Sequence, residues 1–514
     1  MPSHPRQLLL ALTLAGSVAT PAAGQTVGAH AGLRWSGNGT CLPCHGAEAR
    51  EVHASSHYQW EGLAPDSLDG PAMQGKKRSA VNSYCVNILG NWTGCSNCHV
   101  GRGKMPTATA TSTQLKNIDC LVCHQEAYKR KRSAKSGLFV PDTAAMTISM
   151  DQAVRTVHRP TRATCLQCHA KGGGGDNYKR GDLAMAQVAT TDRTFDVHMA
   201  TTGANLRCQD CHAVSAHRIA GRGSDLRQTD HDVAMSCSTS ACHPTKASGG
   251  HGSSALNLHV QRVACQTCHV GPLSARNAAD TAATEATEVH RDWSRPHLTP
   301  SGAWHPLPTM ANNIKPVYRF WNSKNDHYNF LEIAGTDPVT SHYNTSRPLG
   351  SIDDTTTASK LYPFKYKTAL QPYATTRATL VTLDTSKYFA GLGLTAAVES
   401  GLVNMGFTAA DPWTMVTSET YQLLTHEIAP KSASLICASC HGSAPTQMNL
   451  PALGYTLKGP RSTVCTQCHG REDDNLNWQQ VHDKHVKDKK YDCSFCHAFT
   501  RPERGLRTTR GGGD

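Results

Sequence analysis

The sequence predicts a mainly α-helical protein with little regular secondary structure, in which the chain wraps around closely packed bound groups. Few long apolar runs show a helical or strand period, and the cysteine-rich segments are rich in Gly, Ser and Thr. Only 6% of the 514 residues are aromatic, although a chain of this length needs a large apolar interior. Something other than side chains must therefore fill much of that interior.

A short repeated motif identifies the bound group. Nine Cys-x-x-Cys-His segments occur, and a stretched tenth reads Cys237-Ser-Thr-Ser-Ala-Cys242-His243. Two thiols at this spacing add to the two vinyl groups of one haem, and the histidine that follows lies under the iron. Zinc sites and disulfides do not require a histidine after each cysteine pair. The sequence therefore predicts ten covalently attached haem c groups, with the macrocycles supplying the missing apolar interior.

The predicted attachment residues are the two cysteines and the histidine of each motif. They are Cys41, Cys44, His45, Cys95, Cys98, His99, Cys120, Cys123, His124, Cys165, Cys168, His169, Cys208, Cys211, His212, Cys237, Cys242, His243, Cys265, Cys268, His269, Cys437, Cys440, His441, Cys465, Cys468, His469, Cys493, Cys496 and His497.

The remaining histidines are candidates for the second axial position. Eighteen of the 28 histidines lie outside the motifs, and histidine is the usual second ligand of a low-spin haem. We therefore expect mostly bis-histidine coordination. The candidate ligands are His57, His158, His198, His217, His231, His259, His290, His426, His482 and His485.

The motifs are unevenly distributed along the chain. The predicted divisions are a signal peptide (1–24), a seven-haem N-terminal domain (25–270), a haem-free segment (271–410), a three-haem C-terminal domain (411–500) and a disordered tail (501–514). In the haem-free segment, Thr379-Leu-Val-Thr-Leu gives a weak strand signal. Asp411-Pro412 predicts the start of a helix that runs to about Ile428.

Targeting and charge indicate an exported protein. The basic Arg6, an apolar run from Leu8 to Ala19 and small residues at 22–24 are typical of a secretory signal, so we expect a periplasmic, extracellular or cell-surface location. No later run is long and apolar enough to span a membrane. The formal charge of +12 is scattered and offsets haem propionates, which argues against nucleic-acid binding.

The N-terminal half, roughly residues 35–270, resembles the octahaem tetrathionate reductase family of c-type cytochromes. The matching stretches are Cys41-Leu-Pro-Cys-His with His57 and Trp60, Val81-Asn-Ser-Tyr-Cys85, Cys95-Ser-Asn-Cys-His, Asp119-Cys-Leu-Val-Cys-His followed by Tyr128-Lys129, Gly172 to Gly175 with Asp176 and Gly181-Asp182-Leu183, and Cys208-Gln-Asp-Cys-His with His217. This chain differs in carrying ten motifs instead of eight.

The resemblance implies an active-site haem with an unusual ligand. In that family one haem is bound by lysine, and a free cysteine and an asparagine line its distal pocket. Carried over, this haem sits on Cys95, Cys98 and His99, with Lys129 as its ligand and with Asn82 and the unpaired Cys85 in its pocket. Lys129 also lies in a basic run, where a solvated surface lysine is the alternative.

Two functions follow as hypotheses. In the first, the haems feed electrons to the lysine-ligated iron, which reduces a small sulfur or nitrogen oxyanion such as tetrathionate or nitrite, or the related hydroxylamine. In the second, every haem is bis-histidine ligated and the protein is a periplasmic or extracellular electron-transfer wire. Expected partners are quinol-linked proteins or other cytochromes, and a homo-oligomer or filament stays open. Haem attachment alone does not choose between these functions.

The haem count is directly testable by mass spectrometry of the purified mature protein. We expect the cleaved chain to carry the mass of ten haems, because each motif supplies both thiols and a proximal histidine. A mass that fits nine haems would show that the stretched segment from Cys237 to His243 does not attach one.

Overall fold

The computed structural model describes residues 28–84, 87–222, 225–228, 230, 235–246, 250–275, 286–300, 302–351, 359–441, 446–448, 450, 455–469, 477–491 and 495–499. The predicted signal peptide and tail, together with Cys85, His231 and Cys493, lie outside these residues. Among the described residues, no helix combines the length and the apolar character needed to cross a membrane.

The described helices are mostly short. They are α1 (Gly46–Ala54), α2 (Ser56–Gln59), α3 (Ile88–Cys95), α4 (Ser112–Lys116), α5 (Cys120–His124), α6 (Met150–Arg155), α7 (Arg162–His169), α8 (Cys208–Cys211), α9 (Ser254–Arg262), α10 (Cys265–His269), α11 (Thr385–Phe389), α12 (Gly393–Asn404), α13 (Arg461–Thr466) and α14 (Trp478–His482). The π-helical segment Asp483–Asp488 continues α14, and 3₁₀ turns cover Met185–Val188, Lys431–Ala433 and Cys437–Ser439.

The described strands fall into four two-stranded ribbons and one large sheet. They are β1 (Glu61–Leu63), β2 (Met73–Gly75), β3 (Arg130–Arg132), β4 (Phe139–Pro141), β5 (Val214–Ser215), β6 (Arg218–Ile219), β7 (Thr287–Leu298), β8 (Trp304–Ala311), β9 (Val317–Trp321), β10 (Asn325–His327), β11 (Tyr343–Pro348), β12 (Lys360–Ala374), β13 (Thr379–Leu380), β14 (Trp413–Leu423), β15 (Tyr455–Leu457) and β16 (His497–Phe499).

Many of the short helices are built on the haem motifs. Helices α5 and α10 begin on the first cysteine of a motif and end on its histidine. Helix α7 begins one turn earlier, where the Thr161 hydroxyl accepts a hydrogen bond from the Thr164 amide as an N-cap. Residues three and four positions apart share one face of a helix, so the two cysteines and the histidine of a motif point the same way.

A mixed eight-stranded sheet fills the segment without motifs. Because of this sheet, the prediction of a mainly α-helical fold with little regular structure is wrong. Helix accounts for 25% and strand for 23% of the structure. The hydrogen-bonded order is β10-β11-β14-β12-β7-β8, with β9 and β13 paired to β12. Strands β12 and β14 are antiparallel from Phe364–Leu423 to Ala374–Trp413, whereas β12 runs parallel to β7. The short strand β13 agrees with the weak signal at Thr379.

The sheet escaped prediction because the buried face of β12 is polar. Alternate residues of this strand are buried, and they include Lys365, Lys367 and Gln371. A strand whose buried face carries charged and amide side chains lacks the hydrophobic alternation by which a half-buried strand is recognised. These polar side chains are buried against other polar groups instead of an apolar core.

The predicted helix from Asp411 to about Ile428 is also wrong. Residues Trp413–Leu423 form β14, which is paired along its whole length with β12. The segment Thr-Met-Val-Thr is rich in β-branched residues, which favour a strand when a partner strand is available. Pro412 precedes the strand, where its missing amide hydrogen costs no ladder hydrogen bond.

An apolar cluster joins the sheet to the helices that pack against it. A charged cluster of the sheet lies beside this apolar cluster. Trp293 of β7 packs with Leu383, Tyr388, Val398 and Leu402, all of which are almost fully buried. Its indole nitrogen donates a hydrogen bond to the Ser83 carbonyl, 3.1 Å away. This contact joins the sheet to the segment that holds Asn82 and Tyr84.

A buried carboxylate in the sheet predicts how stability depends on pH. Burial alone raises the pKa of Glu288, but Lys367 and Arg291 outweigh it and lower the pKa from 4.5 to about 2. Because the folded-state pKa is the lower one, this contribution to stability is present above about pH 4.5 and is lost as the pH falls toward 2. Glu288→Gln should therefore lower the free energy of unfolding by roughly 3 kcal/mol at pH 7 and by less at pH 3.

Urea unfolding at the two pH values measures this effect. Glu399→Gln, at an exposed position of α12, is the matched control and should change stability little at either pH. An equal loss for Glu288→Gln at pH 3 and pH 7 would contradict the ion-pair explanation.

Candidate haem sites and candidate active site

One continuous cavity of about 3200 Å³ joins the motifs of the N-terminal half. Both cysteines of all seven motifs between residues 41 and 269 line it. The thiols of different motifs approach one another closely enough for hydrogen bonds, in the pairs Cys41–Cys120, Cys98–Cys168, Cys165–Cys208 and Cys237–Cys265. Groups attached at these motifs are therefore immediate neighbours, which is the arrangement that electron transfer between haems requires.

Pairs of histidines fit the axial positions of haem iron. Imidazole nitrogens bind metals at about 2 Å, so two rings on opposite sides of one metal stand with centres about 6 Å apart. Seven motif histidines have another histidine ring at 5.6–6.2 Å. These pairs are His45–His30, His169–His57, His243–His198, His212–His426, His441–His259, His469–His485 and His497–His482.

The hydrogen bonds of several motif histidines leave one ring nitrogen for the metal. The Nδ1 atoms of His124, His212 and His269 lie 2.9, 2.8 and 3.2 Å from backbone carbonyl oxygens. An Nδ1–H that donates to a carbonyl fixes the tautomer in which Nε2 carries the lone pair. The residues present therefore fit haem ligated through Nε2.

Two further motif histidines have a neighbouring histidine, although no ring contact joins the pair. Burial lowers the pKa of His124, and His217 lies close enough to lower it further. Burial, Lys246 and His269 likewise lower the pKa of His251. His251, like His30 opposite His45, is absent from the set predicted from sequence, because nothing in its local sequence marks it as a ligand.

Two predicted distal ligands are held by other partners. Both ring nitrogens of His158 are hydrogen-bonded to backbone, with Nδ1 2.7 Å from the Arg159 carbonyl and Nε2 3.3 Å from the Glu126 amide. His290 lies in β7, where its Nδ1 is 2.7 Å from the Thr368 hydroxyl. The structure does not bring the ring of His290 opposite a motif histidine. His231 lies outside the described residues.

His99 differs from the other motif histidines because its close ring contacts are with Tyr58, Trp60 and Trp92 at 5.0–5.7 Å. It is completely buried, and burial lowers its pKa to about 4, so the ring is neutral at pH 7. Its Nδ1 accepts a hydrogen bond from the Gly101 amide at 3.1 Å, and its Nε2 lies 2.6 Å from the Tyr58 carbonyl oxygen. A metal bound at Nε2 would have to replace the hydrogen bond to Tyr58. The haem at this motif is therefore set apart from the histidine-paired ones.

A polar cluster lies on the cavity wall that Cys95 and Cys98 also line. Asn82, which is completely buried, donates from Nδ2 to both carboxylate oxygens of Asp225, at 2.9 and 3.1 Å. The Nζ of Lys179 lies 3.8 Å from the same carboxylate. Burial raises the pKa of Asp225, but Lys179, Lys76 and Arg227 outweigh it, and the net shift is downward. Asp225 therefore stays ionised and positions both Asn82 and Lys179.

Cations surround Tyr84, the next ring in this wall. The Nζ of Lys367 lies 3.2 Å from the ring centre, and the Arg291 guanidinium and the Lys179 ammonium lie at 5.1 and 5.9 Å. Both Lys367 and Arg291 are paired with Glu288, at 2.7 and 2.6 Å. The cations around Tyr84 outnumber the carboxylates, so this part of the wall favours an anion.

The structure does not bring Lys129 into this cluster. Lys129 is exposed, and its Nζ donates to the Glu126 carbonyl at 3.1 Å. The lysine beside Asn82 is Lys179, within Asn177-Tyr178-Lys179-Arg180, a stretch that lies between the glycine run and Gly181-Asp182-Leu183. The family resemblance includes the residues on both sides of Lys179 but does not name Lys179 itself. The position of Lys179 inside that matching stretch was the signal that could have found it. Cys85 lies outside the described residues.

Comparisons with known proteins identify the class of protein. The sequence model of the family described as "Cytochrome c bacterial" matches residues 308–444. The chain is a multihaem c-type cytochrome. It is similar to the octaheme cytochrome c from Shewanella oneidensis, with 25% identity and a TM-score of 0.66 over 83% of this chain and 96% of that one. An uncharacterized protein of Archaeoglobus fulgidus is 27% identical over 263 residues, covering 38% of this chain and 83% of that protein.

The paired histidines predict a selective spectroscopic change. His426→Ala should remove the second axial ligand of the haem at His212, because the two rings face each other at 6.2 Å. One haem should then change from low-spin to high-spin in the electron paramagnetic resonance spectrum of the oxidised protein. His290→Ala is the matched control from the same sequence-predicted set and should leave all haem signals unchanged. A high-spin signal in His290→Ala, or none in His426→Ala, contradicts these pairings.

Proposed function

We propose that this chain is an exported ten-haem cytochrome that reduces a small sulfur or nitrogen oxyanion at the haem held by Cys95, Cys98 and His99. The observation that carries the proposal is the Asn82–Asp225–Lys179 cluster on the wall of the cavity that those cysteines also line. The substrate class includes tetrathionate, nitrite and the related hydroxylamine. The octahaem structural neighbour supports a redox role in general.

The charge around Tyr84 supports an anionic substrate. Lys179, Lys367 and Arg291 surround this ring, and Lys367 and Arg291 are buried. In a buried, water-poor site such cations stabilise negative charge more strongly than they would in water. Asn82 adds an amide group beside them. Asn82, Lys179 and Arg291 line the cavity and would hold an oxyanion. The buried Lys367 would add positive charge that stabilises the charge developing as the bonds of the oxyanion break.

Lys179 has two roles in this proposal. A haem held by Cys95, Cys98 and His99 would supply electrons and a binding position for the substrate. Lys179 would take the role of the iron-binding lysine that the family resemblance implies, and it would bind as the neutral amine. With a proton taken from solvent it would become an ammonium, whose Nζ lies 3.8 Å from the Asp225 carboxylate. From there its N–H groups donate hydrogen bonds, and a proton, to the substrate oxygen.

An electron-transfer wire is the second candidate function. Nine of the ten motif histidines have a neighbouring histidine among the described residues, which favours haems that carry electrons without binding substrate. His99 is the exception that favours the enzyme. Under either function we propose a periplasmic or cell-surface location and redox proteins as partners.

Replacement of Lys179 tests the enzyme directly. Lys179→Ala should change the optical and magnetic signals of one haem and lower kcat/KM by about 10²–10³, the usual cost of losing one charge-stabilising donor. Lys129→Ala should leave both unchanged, because that side chain is exposed. Spectra and nitrite, hydroxylamine and tetrathionate reduction rates with a viologen donor measure the effect.

The control for surface charge is Lys135→Ala, in the exposed turn between β3 and β4. If Lys179→Ala changes neither the spectrum nor any reduction rate, the wire becomes the better account. A changed spectrum with unchanged rates would keep Lys179 as a ligand but remove that haem as the reaction site.

Cys85→Ser separates pocket chemistry from haem attachment. Cys85 belongs to no motif, so its replacement should leave the haem count at ten. The family resemblance gives this cysteine a role in the distal pocket, and on that reading the loss of its thiolate should lower turnover of a sulfur oxyanion. Mass spectrometry and parallel assays with nitrite and tetrathionate measure the two effects. Unchanged turnover of both substrates would exclude a role for this thiol.

A further inference from the structure

Two haem motifs follow the part of the chain that the family comparison covers. The family model ends at residue 444, just after the motif that ends in His441. Eight motifs lie before that point, and two lie beyond it, ending in His469 and His497. The arrangement of these two sites relative to the others is therefore not provided by the family.

One helical segment carries a histidine for each of the two sites. In α14 and the π-helical turn that follows it, His482 and His485 are three residues apart. The Nε2 of His485 lies 3.3 Å from the Nε2 of His469, with the rings 5.6 Å apart. The ring of His482 lies 6.1 Å from the ring of His497. The two nitrogens of the first pair face each other, as ligands on opposite sides of one metal do.

The site at His497 is joined to the site at His441. His497 pairs with Leu457 across the ribbon β15–β16, and its ring stacks on Tyr455 at 4.2 Å. Tyr455 packs against the apolar cluster of Tyr318, Phe320, Leu361 and Met448, which Cys440 also contacts. This is a continuous path of packed side chains from one attachment motif to the other.

A second contact supports the same junction. Helix α9, which places His259 5.9 Å from His441, packs against the Asp483–Asp488 segment. His482, the residue just before that segment, contacts His497. The sites at His441 and His497 are therefore neighbours.

The site at His469 lies on the side of the His497 site that faces away from His441. The Lys458 amide, three residues before α13, donates a hydrogen bond to the Cys496 carbonyl at 3.0 Å. One helical segment also carries both His485, which contacts His469, and His482, which contacts His497. Thus the motif of His469 adjoins the motif of His497. Cys468 and His469 are exposed, and α13 buries none of its residues.

We propose that these two sites extend the haem relay outward, in the spatial order His441, His497, His469, which reverses the last two motifs relative to the sequence. His482 is the second axial ligand at the His497 site, and His485 is the second axial ligand at the His469 site. The His469 haem is the terminus at which electrons are exchanged with a redox protein outside. This inference goes beyond the proposed function and does not depend on whether the protein reduces any substrate.

The ligand assignments are tested by two single variants of the full-length holoprotein. His482→Ala and His485→Ala should each convert one low-spin haem to high-spin, and the two affected haems should differ in reduction potential. Lys484→Ala, between them on the same exposed segment, is the matched control and should change neither. No new high-spin haem in either histidine variant, or the same haem affected in both, would overturn the assignments.

The spatial order is tested by injecting an electron at the outer site. A ruthenium tris-bipyridyl label on Ser462→Cys, an exposed position in α13, places the donor beside the His469 haem. Light-excited Ru(II) gives one electron to ferric haem, which becomes ferrous, and a sacrificial amine reduces the resulting Ru(III) back to Ru(II). In the otherwise native chain the electron should pass on to the remaining haems.

Removal of the haem at His497, the middle one of the three, should stop that transfer. In the labelled Cys496→Ala/His497→Ala chain, which should lose one haem by mass, the electron should stay on the labelled site. His482→Ala removes the second ligand of the haem at His497 but keeps that haem covalently attached. This variant therefore separates the loss of a ligand from a loss of fold, and it should slow the transfer. Undiminished transfer to the other haems without the middle haem would overturn the proposed order, even if every substrate assay succeeded.

Discussion

The arrangement of this protein depends on pairs of opposed histidine rings whose centres lie about 6 Å apart. One ring of each pair comes from a motif, where two cysteines and a histidine share one side of a short helical turn. The other ring comes from a segment outside the motif, nearby in the chain for His30 and His45 and far away for His212 and His426, and one haem between the rings would tie the two segments together. Short helices, long connections and a common cavity follow, because the haem faces occupy the space that side chains fill in an ordinary core.

The sheet supplies a fixed array of buried charged side chains, which the haem motifs do not. Its β7 and β12 strands hold Glu288, Arg291 and Lys367 in a fixed array behind Tyr84. Burying such charges is costly unless they are paired and hydrogen-bonded. The pairing with Glu288 offsets that cost, and the remaining positive charge is available to an anion. The family match, residues 308–444, covers most of this sheet together with the motif of His441.

The proposed reaction site and the proposed electron terminus lie at motifs far apart in the chain. The Cys95 motif contacts the Cys165 motif through Cys98 and Cys168, and Cys165 in turn contacts Cys208. Contacts of this kind continue through Cys237 and Cys265. Burial raises the pKa of Cys268, and Cys440 of the His441 motif lies close enough to raise it further. Haems attached at these motifs would thus be neighbours, and a histidine opposite each motif histidine would leave the intermediate irons no open position for substrate.

The sequence by itself determined the haem chemistry, because attachment depends on residues within a few positions of one another. Cys120, Cys123 and His124 need only one helical turn to share a face. Tertiary structure alone decided which histidines lie near His30 and His251, that residues 413–423 form a strand, and that Lys179, not Lys129, lies beside Asp225. Asn82 and Asp225, 143 residues apart, meet only because the chain folds around the cavity. Contacts of that range leave no periodic or spacing signal, and the buried polar face of β12 hides the one signal that a strand usually shows.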